Sequence, residues 1–150
     1  MFRGQFTHSV DDKGRVSLPS RFRDVLAADG DTRFVLTPDP GYPCLHLYPF
    51  RTWEQYERKV SELPSHDPRI VRFRRLYVSV AQEGELDKVG RVRLPPEFRD
   101  RIRVERDVVF AGMGKIIEIW SKLLWEKEME ESAKEAPQIL ADVARELTRI

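Results

Sequence analysis

A repeated motif is the feature of this 150-residue sequence that most restricts its fold. Segment 11–24 reads DDKGRVSLPSRFRD and segment 87–100 reads DKVGRVRLPPEFRD, so nine of fourteen positions match at an offset of 76. Phe34 and Phe110 continue the match at this offset, and Trp53 matches Trp125 at an offset of 72. Each copy spans about fifty residues, which is too few to bury a secure core alone. We therefore predict that the two copies fold around one shared core.

The pattern within each copy predicts a strand, a short helix, two more strands and a longer helix. Val16 and Leu18 alternate with polar residues, which is typical of a half-buried strand, and Pro19 is predicted in the first turn of the short helix. The next two strands are predicted at 34–36 and 45–48 in the first copy, and at 108–110 and 116–120 in the second. Apolar residues three or four apart then predict the longer helices. Together these elements predict an α+β fold.

Proline residues divide the chain into four predicted parts. Pro64 and Pro68 favour a boundary after the first copy, Asp67 is predicted to cap the next helix, and Pro137 is predicted to interrupt the last one. The parts are a first repeat with its helix (1–64), a connecting helix (65–80), a second repeat with its helix (81–136) and a C-terminal amphipathic helix (137–150). The apolar stripe of that last helix requires a cover, either this chain's own core, which is the simpler interpretation, or a neighbouring subunit.

Each copy of the motif begins with an Asp-x-x-Gly-Arg loop that leads into a strand. We expect Gly14 and Gly90 to take a positive φ in a tight turn, and Asp11 and Asp87 to accept hydrogen bonds from N–H groups of that turn. An arginine fork suits phosphate oxygens or the O6/N7 edge of guanine. The candidate DNA-binding residues are the five cations on and beside the loops: Arg15, Arg91, Lys13, Lys88 and Arg93.

The overall charge neither requires nor excludes this interpretation. With 26 basic and 25 acidic residues, the chain is not suited to coating nucleic acid indiscriminately. Segment 84–103 holds six basic and four acidic residues, so one copy is expected to bind DNA weakly. The alternative is that the aspartate and arginine of each loop simply pair across the turn, which contributes little at a surface.

Other residue patterns give weaker indications. Cys44 is the single cysteine, which excludes an internal disulfide and favours a reducing cytoplasm. Cys44 and His46 share one side of a predicted strand, but His8 and His66 lack ligand spacing, so we expect packing here and no metal or cofactor. An arginine-rich segment at 69–75 is interpreted as a solvated helix face or a source of salt bridges between subunits, in preference to a DNA-recognition helix. The sequence carries no catalytic motif and no apolar segment for a signal or a membrane span, so we expect neither an enzyme nor a membrane protein.

The double motif resembles the MraZ family. Two copies of Asp-x-x-x-Arg, each followed by Val-x-Leu-Pro-x-x-Phe-Arg, carry the resemblance, together with the opening Phe2-Arg3-Gly4 and the length. A single copy would resemble only the wider AbrB-like DNA-binding superfamily. The resemblance implies two interlocked AbrB-like β-α-β units of the swapped-hairpin type, flanked by helices, and subunits that assemble into rings of about eight or more.

The resemblance also implies a function. Members of the family are cytoplasmic, nucleoid-associated transcriptional regulators, which bind direct repeats in the promoter of the division and cell-wall gene cluster that contains their own gene. The motif pairs carry over to Asp11 with Arg15 and Asp87 with Arg91, whereas the lysines of the two loops are not equivalent. The alternative hypothesis is a ring-forming scaffold or an antitoxin-like partner-binding protein, which the acidic segment 121–150 favours with seven acidic and five basic residues.

Overall fold

The two copies of the sequence motif form the same series of elements in the computed structural model, which describes residues 1–149. The first copy contains β1 (Gln5–Ser9), β2 (Arg15–Ser17), α1 (Ser20–Leu26), β3 (Arg33–Pro38), β4 (Cys44–Pro49) and α2 (Phe50–Ser61). Helix α3 (Pro68–Phe73) and a π-helix (Arg74–Val78) link it to the second copy. The second copy contains β5 (Gln82–Glu85), β6 (Arg91–Arg93), α4 (Pro96–Arg101), β7 (Asp107–Gly112), β8 (Ile117–Ser121) and α5 (Lys122–Thr148). The predicted α+β class is confirmed.

Both sheets join strands from the two copies. The larger sheet has six antiparallel strands in the order β1-β7-β8-β4-β3-β5, and β2 pairs with β6 in a separate two-stranded ribbon. Strand β1 of the first copy lies on β7 of the second, β5 of the second lies on β3 of the first, and β4 and β8 pair at the centre. The copies are therefore interlocked, because neither could complete these sheets alone.

A shared core forms between the ribbon and one face of the large sheet. Side chains alternate between the two faces of a strand, and this alternation directs Leu45 and Leu47 of β4 towards the ribbon together with Ile117 and Ile119 of β8. The ribbon and its flanks contribute four further buried side chains to the same cluster: Val16, Leu18, Val92 and Leu94. The opposite face of the sheet carries a smaller aromatic cluster, formed by Val35, Tyr48, Trp53 and Tyr77. The prediction of one shared core is confirmed.

Several local predictions are confirmed and others need correction. Asp67 caps α3 as predicted, because its side chain accepts a hydrogen bond from the Arg69 backbone N–H at 2.9 Å. Pro19 lies just before α1 rather than in its first turn. The edge strands β1 and β5 were not predicted, because they are short and largely polar and so carry almost no apolar signal.

Helix α5 differs most from the prediction. It runs unbroken from Lys122 to Thr148 with Pro137 inside it, so the predicted interruption at Pro137 is wrong. The helix continues because a proline removes only one backbone hydrogen bond, and the long helical segments on both sides of Pro137 keep their own backbone hydrogen bonds. The simpler interpretation of its apolar stripe is also wrong, because this chain's own core does not cover it: Leu140, Val143 and Leu147 are 70%, 49% and 62% exposed. No helix within residues 1–149 has the length and apolar character needed to cross a bilayer.

Candidate nucleic-acid interface

The β2–β6 ribbon presents a short polar face to solvent. Its register aligns three residue pairs, Arg15 with Arg93, Val16 with Val92, and Ser17 with Arg91. The two valines are 1% and 0% exposed and point into the core, so the residues on either side of them point outward. The outward face is therefore formed by four side chains: Arg15, Ser17, Arg91 and Arg93.

The loop before β2 is organised by one carboxylate. Oδ1 of Asp11 accepts hydrogen bonds from the backbone N–H groups of Lys13 at 2.9 Å and Arg15 at 2.8 Å. Oδ2 of Asp11 accepts from Nε of Arg15 at 2.8 Å. The hydrogen bond from the Arg15 backbone, followed by that from its side chain, holds the pKa of Asp11 below its usual value of 3.8. Gly14 has a φ of +81°, a conformation that favours glycine, and it allows the tight turn.

The loop before β6 has the same construction. Oδ1 of Asp87 accepts from the backbone N–H groups of Val89 at 3.1 Å and Arg91 at 2.8 Å, and Oδ2 accepts from Nε of Arg91 at 2.7 Å. The backbone hydrogen bond from Arg91 also lowers the pKa of Asp87. Gly90 again has a φ of +81°. The two loops thus hold their arginines by equivalent contacts.

The pairing of aspartate with arginine leaves one side of each guanidinium available. Among the described residues, the side chains of Arg15 and Arg91 donate hydrogen bonds only through Nε. Their terminal nitrogens therefore form no hydrogen bonds to protein. The two side chains are 34% and 31% exposed, and Nη1 of Arg91 lies 4.0 Å from Oδ2 of Asp11. The intraloop pair and a ligand-binding role are therefore compatible, because the carboxylates orient the two forks side by side.

The remaining candidate cations lie at the margins of this face. Lys13, Lys88 and Arg93 are exposed, and none of them forms an ion pair within the part of the chain that the structure describes. Their positions break the symmetry of the ribbon, because the offset of 76 aligns Lys13 with Val89 and Lys88 with Asp12.

Two arginines outside the set of candidate DNA-binding residues, Arg23 and Arg99, pack against the loop glycines. Arg23 is half-buried, and its Nη1 donates to the Val89 carbonyl oxygen at 3.2 Å. Cδ and the guanidinium of Arg23 cover Gly90, and the guanidinium of Arg99 covers Gly14, each from the opposite copy. The repeat itself contained a signal for this role, because Arg23 and Arg99 are matched positions of the motif.

A comparison with known protein families identifies this arrangement. The family model described as "MraZ protein, putative antitoxin-like" matches the chain twice, at residues 1–76 and 78–149. The chain belongs to the MraZ family. The two MraZ matches correspond to the two interlocked copies of the fold.

Individual relatives agree with the family match over nearly the whole length. The transcriptional regulator MraZ of a Marinomonas species is 44% identical over 131 residues, which cover 87% of each chain. The transcriptional regulators MraZ of Nitrosococcus oceani and Thermomicrobium roseum are 39% and 40% identical, over 98% and 96% of this chain and 97% and 98% of their own. MraZ regulators are not enzymes, so the prediction that this chain is not an enzyme is confirmed.

Proposed function

We propose that this chain regulates transcription by binding specific promoter DNA with the outward face of the β2–β6 ribbon. A two-stranded antiparallel ribbon fits the major groove of B-DNA, and several regulators read bases in this way. The observation that carries the proposal is the set of three guanidinium groups on one ribbon face, two of them oriented by aspartates. The names of the relatives support the same function.

The cations of the interface divide into two proposed roles. Arg15 and Arg91 read bases, because their terminal nitrogens can donate as a pair to the O6 and N7 atoms of guanine. Lys13 and Lys88 contact phosphates, which sets the affinity and the dependence on salt, and Arg93 extends the base-reading face on one side of the ribbon. Asp11 and Asp87, with Gly14 and Gly90, hold the loops in the shape that binding requires.

We further propose that the subunits assemble into a ring of about eight or more. A single subunit with a net charge of +1 is expected to bind DNA weakly. A ring arrays many ribbons, and linked sites can gain roughly 10²–10⁴ in avidity, so direct promoter repeats about one helical turn apart would engage neighbouring subunits. The exposed apolar stripe of α5 supports an interface between subunits, with five members: Met129, Ile139, Leu140, Val143 and Leu147.

The proposed targets are direct repeats in the promoter of the division and cell-wall gene cluster, which makes the regulator autoregulatory if its own gene lies there. The regulator would then work at the nucleoid, in the cytoplasm. These expectations follow from membership of the family.

The test is a fluorescence-anisotropy titration of a duplex from the chain's own promoter, repeated with a scrambled duplex at several salt concentrations. We expect Arg15→Ala to weaken specific binding by about 1–3 kcal/mol and the scrambled duplex to be affected much less. Arg21→Ala is the matched control, because it removes the same charge from an exposed position on α1 outside the ribbon face. Equal losses for Arg15→Ala and Arg21→Ala would refute base readout, and a monomeric mass in light scattering would refute the ring.

A second candidate is a ring-forming scaffold or an antitoxin-like protein that binds another protein. The family description and the exposed apolar stripe on the acidic helix α5 favour it. A pulldown that yields no stable partner, together with specific promoter binding, would contradict this candidate.

A further inference from the structure

Four side chains with metal-ligand chemistry meet on the face of the large sheet that is opposite to the ribbon. Asp39, Cys44, His46 and Glu118 each bring one ligand atom within 4.8 Å of all the others. Cys44 and His46 lie on β4, Glu118 lies directly opposite His46 on β8, and Asp39 comes from the turn between β3 and β4. A thiol, an imidazole and carboxylates are the donors that zinc uses in proteins.

Both carboxylates are held so that one oxygen faces the cluster. Oδ1 of Asp39 accepts from the backbone N–H groups of Gly41 at 2.7 Å and Tyr42 at 3.0 Å. Oε1 of Glu118 accepts from Nε1 of Trp120 at 2.9 Å. The second oxygens, Oδ2 and Oε2, are left to face the imidazole. Outer contacts of this kind orient the ligands of metal sites.

The imidazole of His46 is fixed in the same manner. Nδ1 lies 2.6 Å from the Tyr77 hydroxyl, while Nε2 faces Oδ2 of Asp39 at 2.9 Å and Oε2 of Glu118 at 3.8 Å. Tyr77 belongs to the π-helix, and its own carbonyl oxygen accepts from the buried Thr37 hydroxyl at 2.6 Å. The π-helix therefore places the hydroxyl that sets the orientation of the histidine.

We propose that Asp39, Cys44, His46 and Glu118 form a binding site for Zn²⁺. When Nδ1 of His46 donates to the Tyr77 hydroxyl, the lone pair of Nε2 points at the carboxylates of Asp39 and Glu118. The lone pair and the carboxylates repel one another, and a cation placed between them would attract all three groups. Tetrahedral zinc has ligands at about 2.0–2.3 Å, hence roughly 3.5 Å from one another, so side-chain movements of about 1 Å close the present spacing. Exposed fractions of 13–18% for His46, Asp39 and Glu118 leave a path for the ion.

The site takes three ligands from the first copy of the pseudo-symmetric fold and one, Glu118, from the second. Between the matched positions Leu36 and Cys44, the first copy has four more residues than the second, which is why the sequence offset falls from 76 to 72. This longer turn supplies Asp39, and the counterpart of His46 in the second copy is Glu118 itself. One ion per chain would thus tie β4 to β8, the central junction of the two copies, without touching the arginine loops.

Metal titrations of the full chain test the proposal. We expect Co²⁺ to bind chelator-treated protein at one ion per chain with a thiolate-to-cobalt charge-transfer band, and Zn²⁺ to displace it. The chain has a single cysteine, so this band must come from Cys44 and disappear in Cys44→Ser. Tyr77→Phe keeps all four donors but frees Nδ1 of His46, and should weaken zinc binding about 10–100-fold. The control is His66→Ala, which removes an exposed histidine from the α2–α3 link and should bind as wild type.

The outcomes separate zinc binding from a purely structural cluster. Circular dichroism checks the fold of every variant. If Cys44→Ser fails to fold, the zinc affinity of Glu118→Gln, which preserves side-chain shape, provides the test instead. Absence of the cobalt band in wild type, or equal zinc affinity of wild type and Glu118→Gln, would overturn the proposal. A metal-free hydrogen bond between Nε2 of His46 and Oδ2 of Asp39 would then account for the cluster.

Discussion

Two glycines of the arginine loops allow a quantitative test of how the copies interlock. Gly14 and Gly90 both have a φ of +81°, so alanine should cost about 1–2 kcal/mol of backbone strain at either position. The surroundings differ. A Cβ at position 14 would lie 2.8 Å from the backbone oxygen of Leu94, whereas a Cβ at position 90 would meet the flexible stem of Arg23 at 2.5 Å.

The difference in surroundings predicts a difference in cost. The backbone of Leu94 cannot retreat easily, because its N–H donates to the Gly14 carbonyl oxygen at 2.8 Å within the extended ribbon. Arg23 can swing away at the loss of one long hydrogen bond. We therefore expect a loss of about 2–4 kcal/mol in the free energy of unfolding for Gly14→Ala and about 1–2 kcal/mol for Gly90→Ala.

Urea unfolding followed by circular dichroism measures both values. With an m-value of about 2 kcal/mol/M, a difference of about 1–2 kcal/mol moves the midpoint by roughly 0.5–1 M. Gly30→Ala provides the strain-only control, because Gly30 has a φ of +82° and nothing lies within 4 Å of its added Cβ. All measurements need one protein concentration, since assembly adds to apparent stability. If Gly14→Ala costs no more than Gly30→Ala, the close approach of the two copies at this loop is refuted.

Two further predictions concern pH and the edge of the sheet. The pKa values of Asp11 and Asp87 are lowered in the folded state. The two carboxylates therefore contribute their full stabilisation at a pH above the usual aspartate pKa of about 4, and this stabilisation is lost as the pH falls through their lowered pKa values in the folded state. Melting temperatures recorded from pH 6 to pH 2 should fall less steeply for the double variant Asp11→Asn/Asp87→Asn than for wild type, and parallel profiles would contradict this. Gly84→Ala places a Cβ 2.5 Å from the Phe34 ring, which should destabilise the protein by about 1–3 kcal/mol in a thermal melt. An unchanged melt would refute the tight packing of Phe34 on this strand.

The repeat made the shared core predictable because matched residues imply matched environments. Val16, which is predicted on a half-buried strand, and its matched residue Val92 are both buried in the common cluster. Pairing between distant strands could not be predicted in the same way, since register depends on long-range contacts that local alternation does not encode. His46 and Glu118 are neighbours only through the β4–β8 register, so no sequence spacing could assign these two carboxylates, Asp39 and Glu118, to a site with Cys44.

Asymmetry within the ribbon bears on how such a protein could recognise direct repeats. The interlocked copies give the ribbon a pseudo-two-fold axis through the Val16–Val92 pair, and a perfectly symmetric ribbon would bind a site equally well in either orientation. Direct repeats have a polarity, so under the proposed function that polarity must be read by residues that differ between the copies. The outward positions that differ are Ser17 against Arg93, Lys13 against Val89, and Asp12 against Lys88. Arg15 and Arg91 would then supply affinity for the bases. Arg93, whose matched residue in the first copy is Ser17, would distinguish the two directions of the DNA site.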